Sequence, residues 1–261
     1  MKHVFLIAIL LYTICCRHLS AQVMDTSIML LGKLPLTLIK NDIQDTTILV
    51  YAINVHENEN TSVHAFQSSS YAAKIKLLYL HQYGKRNIAC CFNGIDTSYF
   101  DPNRIFTDDG IRKTLITNSN YTDTAAMHAK HVADSILQWL LPAKCIIALH
   151  NNTNENYSLL SYRKKGGSAN DAARVFLNPQ MDTDDFIFTN NEALFKWLKK
   201  NRVNVVLQNN SGVSDDGSLS VYFKNSDVLY INIEAEQGHV DQQKKLIELI
   251  YIYLIDNHFL D

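Results

Sequence analysis

Four short runs, dense in β-branched and aliphatic residues, set the tightest limit on what this chain can form. Residues 46–55, 145–149, 203–207 and 228–233 are apolar almost throughout and do not alternate with polar residues. A strand with one wet face alternates; a run without alternation suits a strand covered on both faces. Between these runs lie helical patterns. Val132, Ile136, Trp139 and Leu140 are spaced i, i+4, i+7, i+8 and are closed by Pro142. Residues 68–83 read as a helix stopping at Gly84. Thr189 with Glu192 forms a capping-box pattern for a helix to Lys200, and residues 246–254 read as a last, apolar helix. A shorter β-prone run, 36–39, follows Pro35. Strands alternating with helices predict an α/β fold, with a mostly parallel or mixed central sheet flanked by helices. The 261 residues suffice for one such domain, expected over residues 22–261.

Composition narrows the function classes. Hydrophobic residues make up 47%, an ordinary globular share. The net charge of −2, with no basic stripe, speaks against a nucleic-acid partner. At the N-terminus, Lys2 and His3 precede an apolar run over 4–14, and Leu19-Ser20-Ala21 offers a cleavage point. This pattern predicts a signal peptide over 1–21, too short to span a bilayer, and a secreted or periplasmic protein without stable membrane insertion. Cys15 and Cys16 lack the preceding small residue that lipid attachment needs. Beyond that segment stand Cys90, Cys91 and Cys145. Adjacent cysteines rarely bond to each other, so either Cys145 pairs with one of them or all three are buried thiols. An odd count argues for stability from the core rather than from a disulfide framework. Asn60 and Asn151 begin formal glycosylation motifs beside the polar residues described next, where a glycan would obstruct them; this favours a bacterial setting.

In α/β sheets, ligands gather at the carboxyl ends of the strands. His56 follows one apolar run, His150 another and Glu234 a third. His56-Glu57-Asn58-Glu59 places an imidazole and a carboxylate in one short loop. With His150 they make a three-ligand set of the kind that leaves zinc an open position. Glu234, at the end of its run, suits proton transfer near such a centre. Glu236 shares its face if the strand continues, but the apolar strand leads directly into Glu234, which is the residue assigned. In Asp101-Pro-Asn-Arg-Ile-Phe106, the guanidinium of Arg104 suits two parallel hydrogen bonds to a carboxylate, and Asn103 adds a donor.

The order His-x-x-Glu, Asp-x-Asn-Arg-x-Phe (Asp101, Asn103, Arg104, Phe106), His150 and Glu234 resembles the zinc carboxypeptidase superfamily. Within it, the chain is most similar to the deacylase branch containing aspartoacylase and succinylglutamate desuccinylase. The pattern runs from residue 56 to 234, with 91 residues between Glu59 and His150. The resemblance implies one zinc ion on His56, Glu59 and His150, with Glu234 as general base and then acid. It implies Asn103 and Arg104 on a substrate carboxylate. It also implies an oxyanion-stabilising role for Arg86, 17 residues before Asn103, and a substrate contact for Tyr222. By residue type alone, Arg86 beside Lys85 equally suits a basic surface, and Tyr222 a strand aromatic. Tyr157 and His239 are further polar residues without an assigned role. The implied activity is hydrolysis of an amide bond in a peptide or N-acyl amino acid bearing a free carboxylate, with a cell-wall peptide as the candidate for an exported bacterial enzyme. Two other readings are a zinc N-acetylmuramoyl-L-alanine amidase, whose strand-end histidine Leu149-His-Asn-Asn resembles, and a secreted binding protein of the same fold without turnover. The first does not usually pair His-x-x-Glu with Asn-Arg; the second would hold zinc poorly.

Overall fold

The computed structural model describes residues 24–41, 43–92, 96–153 and 157–261; the expected signal peptide lies outside them. The chain opens with a hairpin of β1 (Met24–Leu31) and β2 (Leu34–Asn41). It continues through β3 (Val50–Asn54), α1 (Asn60–Gln67) and β4 (Lys76–His81) to a small hairpin of β5 (Ile88–Phe92) and β6 (Asp96–Phe100). Then come α2 (Asp108–Asn118), α3 (Asp123–Leu140), β7 (Cys145–Asn152), β8 (Ala172–Phe176), β9 (Phe186–Thr189) and α4 (Glu192–Lys200). β10 (Val205–Gln208), α5 (Leu219–Tyr222), β11 (Leu229–Glu236) and α6 (Val240–Asp256) complete it. Nine strands form one mixed sheet in the order β1-β2-β4-β3-β7-β11-β9-β10-β8. Its centre, β4-β3-β7-β11, is parallel, and antiparallel pairs flank it.

Alternation along the strands sorts their residues into two cores. Tyr51, Ile53, Ile146, Ala148 and Tyr230 pack with Val132, Ile136 and Leu140 of α3 on one face. Val50, Ala52, Cys145, Ile147, Leu149, Ile231 and Ile233 pack with Leu194 and Leu198 of α4 and Leu246, Ile250 and Leu254 of α6 on the other. Both faces are covered, which is why the runs do not alternate. Each fully buried aliphatic side chain contributes about 1.5–3 kcal/mol by leaving water. Continued by the same period of two, the α3 face presents His150 after Ala148, and Asn232 and Glu234 after Tyr230. Helix α3 is held in place by its apolar stripe and by Thr122, whose hydroxyl accepts from the Ala125 backbone N–H at 3.1 Å.

Two expectations need correction. Residues 68–83 do not form a helix: a turn and a short 3-10 segment, Ala72–Lys74, lead into β4. Their composition suits a helix, but Leu77, Leu78 and Leu80 are buried, and β4 pairs with β2 on one side and β3 on the other. Those gains outweigh propensity differences below about 1 kcal/mol per residue. Thr189 does not cap α4: it ends β9, and its hydroxyl donates to the Tyr230 carbonyl at 2.7 Å. Asn191 is the cap, accepting from Leu194 N–H at 2.9 Å. Asn151 is buried, with its amide donating to the Ala235 carbonyl and to Gln243, so it offers no room for a glycan. Cys145, left open between disulfide and thiol, is a free thiol inside β7, and burial pushes its pKa up.

Candidate metal centre and cleft

The carboxyl ends of three adjacent strands, β3, β7 and β11, converge at one end of the sheet. Past β3 the chain turns sharply, with Glu59 N–H donating to the His56 carbonyl at 2.9 Å. Asn54, the last residue of β3, ties this turn down. Its buried amide donates to the carbonyls of Leu149 on β7 (2.8 Å) and Glu59 (3.3 Å). Ser62 N–H donates to Asn151 Oδ1 at 2.8 Å, fixing the start of α1 against β7. The two glutamates of the loop part here. Glu57 accepts from the backbone N–H of Gly84 at 2.7 Å and contacts His81, which fixes the turn after β4. Glu59 turns inward.

His56, Glu59 and His150 are all buried, and each offers one ligand atom within 4.8 Å of the others'. His56 Nδ1 lies 2.9 Å from Glu59 Oε1, and His150 Nδ1 lies 2.7 Å from Glu59 Oε2. On its other side, His56 Nε2 donates to Asp101 Oδ1 at 2.7 Å. A carboxylate can only accept, so that contact places the His56 proton on Nε2 and leaves a lone pair on Nδ1. Despite its closeness to Glu59, Nδ1 is a buried nitrogen without a hydrogen-bond partner among the described residues. An orphaned imidazole lone pair aimed at a second imidazole and a carboxylate fits a divalent cation, and two histidines with one glutamate suit zinc. Burial opposes charge on His56, but Glu59 and Asp101 beside it raise its pKa. Burial likewise opposes ionisation of Glu59, yet His150 and His56 hold its carboxyl well below the usual carboxylate range.

Asp101 is also the N-cap of a 3-10 turn, Pro102–Arg104, accepting from Asn103 N–H at 2.8 Å. The Asp-Pro-Asn-Arg run is therefore one device, since the carboxylate that orients His56 also shapes the turn that presents Asn103 and Arg104. Arg86 joins both acids: Nη1 donates to Glu59 Oε1 at 2.5 Å and Nη2 to Asp101 Oδ2 at 3.3 Å. Arg104 Nη1 lies 3.4 Å from Asp216 Oδ2. Burial works against the Arg104 charge, while Asp216 and Asp101 hold it in place. Its backbone is seated on Gly217 (φ +78°), whose carbonyl accepts from Phe106 N–H at 2.9 Å. A Cβ on Gly217 would stand 2.4 Å from the Arg104 carbonyl oxygen, so only glycine fits.

These residues border a cleft of about 510 Å³. Glu59, Arg86, Asn103, Arg104, His150 and Glu234 all line it. Glu234 pairs in register with His150 across the parallel β11–β7 ladder. Burial pushes Glu234 up to about 7. Glu236 also lies on β11 but does not line the cleft: its backbone N–H donates to Asp185 Oδ1 at 3.1 Å, and its carboxylate lies 3.6 Å from His239 Nε2. Tyr222 is not among the lining residues; it ends α5, is 42% exposed and packs edge-on against Phe223. The phenols in the cleft are those of Tyr157, Tyr162 and Tyr230, with Phe188 beside them. Sequence reasoning missed Asn54, Tyr162, Asp216 and Asn232. Only Asn232 carried a readable signal, standing two residues before Glu234 on the same strand face.

No protein-family model matches the chain, and no curated protein sequence does. Solved structures overlay it over most of its length. A Shewanella baltica protein assigned as a metallopeptidase is 13% identical, with 90% of this chain and 85% of that one covered and a TM-score of 0.43. A metallo-carboxypeptidase from Burkholderia cenocepacia is 9% identical, covering 89% and 65%, with a TM-score of 0.43. A succinylglutamate desuccinylase from Vibrio parahaemolyticus is 12% identical, covering 83% and 71%, with a TM-score of 0.38. Overlaps this loose carry no argument about activity. Among the described residues, no helix is long and apolar enough to cross a membrane.

Proposed function

We propose that this protein is a zinc-dependent hydrolase of the carboxypeptidase type. Its substrate is an amide bond in a peptide or N-acyl amino acid with a free carboxylate. The observation that carries the reading is the cluster of His56, Glu59 and His150, their ligand atoms within 4.8 Å of one another, beside a cleft lined by Glu59, His150, Glu234, Asn103 and Arg104. Zinc bound there would polarise a carbonyl and bring the pKa of a water toward neutrality. Glu234 takes a proton from the attacking water and returns it to the leaving nitrogen. A carboxyl raised toward 7 is suited to both transfers. Arg104 and Asn103 hold the substrate carboxylate and so fix the amide in the cleft. Arg86 braces Glu59 and Asp101 from the cleft rim.

The test is a zinc determination on purified protein, with a screen of N-acyl amino acids and cell-wall peptides in free-acid and amidated forms. One zinc per chain, with turnover of free acids only, is the expected result. A metal-free protein inactive on every member, with zinc supplied, would overturn the reading.

A further inference from the structure

Asn232 stands two residues before Glu234 on β11, so both side chains leave the same face of the strand, and both line the cleft. Its Nδ2 donates to Glu234 Oε1 at 3.1 Å. The surroundings of Glu234 make that contact unusual. Across the sheet, Glu234 is flanked by His150 and Phe186, and Asn232 by Ala148 and Phe188. Alanine and phenylalanine side chains cannot donate to a carboxylate, and His150 Nδ1 is engaged with Glu59. The Asn232 amide is therefore the single protein hydrogen bond to the Glu234 side chain among the described residues.

The other half of the amide is telling. Asn232 Oδ1 is buried and has no hydrogen-bond partner among the described residues. A buried acceptor without a donor costs stability, so the amide is not oriented for its own satisfaction. Its orientation is dictated by Glu234, because the opposite one would set a carbonyl oxygen against a carboxylate. Among the described residues, Glu234 Oε2 takes no hydrogen bond from the protein, and Glu234 lines the cleft.

We propose that Asn232 is a positioning residue that pins Oε1 of Glu234 and thereby leaves Oε2 as the oxygen that exchanges the proton, an inference that rests on reading Glu234 as the general base. Oε2 takes one proton from the attacking water and gives it to the leaving nitrogen, so the carboxylate ends as it began. Without the amide, the carboxylate turns about its last bond and presents either oxygen, or neither, to the reacting atoms.

The experiment uses the zinc-loaded protein and the N-acetyl-L-amino acid that wild type turns over fastest. Asn232→Leu keeps the shape and cannot donate; Asn232→Thr restores a donor. The expected result for Asn232→Leu is a roughly 10-fold or larger fall in kcat, with KM and zinc content little changed. Asn232→Thr should recover a large part of the loss. If Asn232→Leu does not fold, Asn232→Ala takes its place. A rise in KM with kcat intact, or equal losses in the Leu and Thr variants, would overturn the proposal. Crystal structures of wild type and Asn232→Leu decide the matter independently of turnover. A Glu234 carboxylate rotated or split between two orientations in the variant supports the proposal; an unchanged single orientation sinks it. Should wild type hydrolyse no amide, the proposed reaction fails, while the crystallographic comparison still judges the positioning role.

Discussion

The Asp101 carboxylate lies 2.7 Å from Nε2 of His56, and the same oxygen accepts the backbone N–H of Asn103. One side chain thus sets the tautomer of a candidate ligand and the shape of the turn carrying Arg104. Asp101→Ala removes both. Partners behind metal-bound histidines typically contribute about 10–100-fold to affinity, and capping side chains about 1 kcal/mol to stability. Zinc affinity, read by competition with a chelator, is expected to fall within that range, and the metal-free protein to melt a few degrees lower. Unchanged zinc affinity would show that His56 needs no such orienting group.

Zinc binding should be visible in stability as well as stoichiometry. A ligand that binds the folded state alone stabilises it by about 4 kcal/mol at 1,000 times its Kd. For a chain of this length that is about 10 °C in melting temperature. Treatment with EDTA should lower the melting temperature by that order, and added zinc should restore it. His150→Ala and Glu59→Gln should lower the zinc content from one per chain toward none and abolish the response to EDTA. A wild-type melt indifferent to both EDTA and zinc would exclude a tightly held ion.

Arg104 is expected to select free carboxylates. Arg104→Ala should raise KM for a free-acid substrate by roughly 100-fold while leaving its amidated counterpart unaffected, consistent with loss of a charged, two-point contact. Gly217, beneath the Arg104 turn, offers a second handle. Gly217→Ala forces a Cβ against the Arg104 carbonyl at a positive φ. Calorimetric melting should show a loss above about 1 kcal/mol, accompanied by a weaker KM effect in the same direction. An Ala variant melting like wild type would mean that this turn yields freely.

The sheet was legible in the sequence where burial on both faces had erased alternation, as in 50–54, 145–149 and 229–233. It was illegible where local propensity and tertiary pairing disagree, as at Leu77-Leu78, which reads as helix and folds as an interior strand. β1 was missed for a related reason: it is an edge strand with mixed, mostly exposed side chains, including Ile28 and Leu30, and only its pairing with β2 defines it. His56, Glu59 and His150 could be found because strand ends are identifiable and metal-ligand chemistry is restrictive. The phenols of Tyr157 and Tyr162 reach the cleft through loop geometry and short 3-10 turns that leave no periodic trace, so Tyr222 was the more natural candidate and lies elsewhere.

The choice between Glu234 and Glu236 shows how a single strand separates two identical side chains. Both lie on the same face of β11 by period, and both stay paired with β7, Glu234 opposite His150 and Glu236 opposite Asn152, yet their side chains meet different partners. Glu236 N–H is captured by Asp185, and its carboxylate drifts toward His239. Glu234, one pleat earlier and beside His150, lines the cleft. Glu234→Gln retains size and hydrogen bonding but not the basic oxygen, so kcat should fall by roughly 100-fold or more. Zinc content and melting temperature should change little, since Glu234 is not one of the three candidate ligands. Glu236→Gln should leave kcat within about threefold of wild type, in keeping with a group that touches no reacting atom. If Glu236→Gln abolishes turnover and Glu234→Gln does not, the base lies on the outer carboxylate and the cleft must rearrange to reach it. If both variants remain active, proton transfer falls to a different group, and the three-ligand centre would have to work without either glutamate.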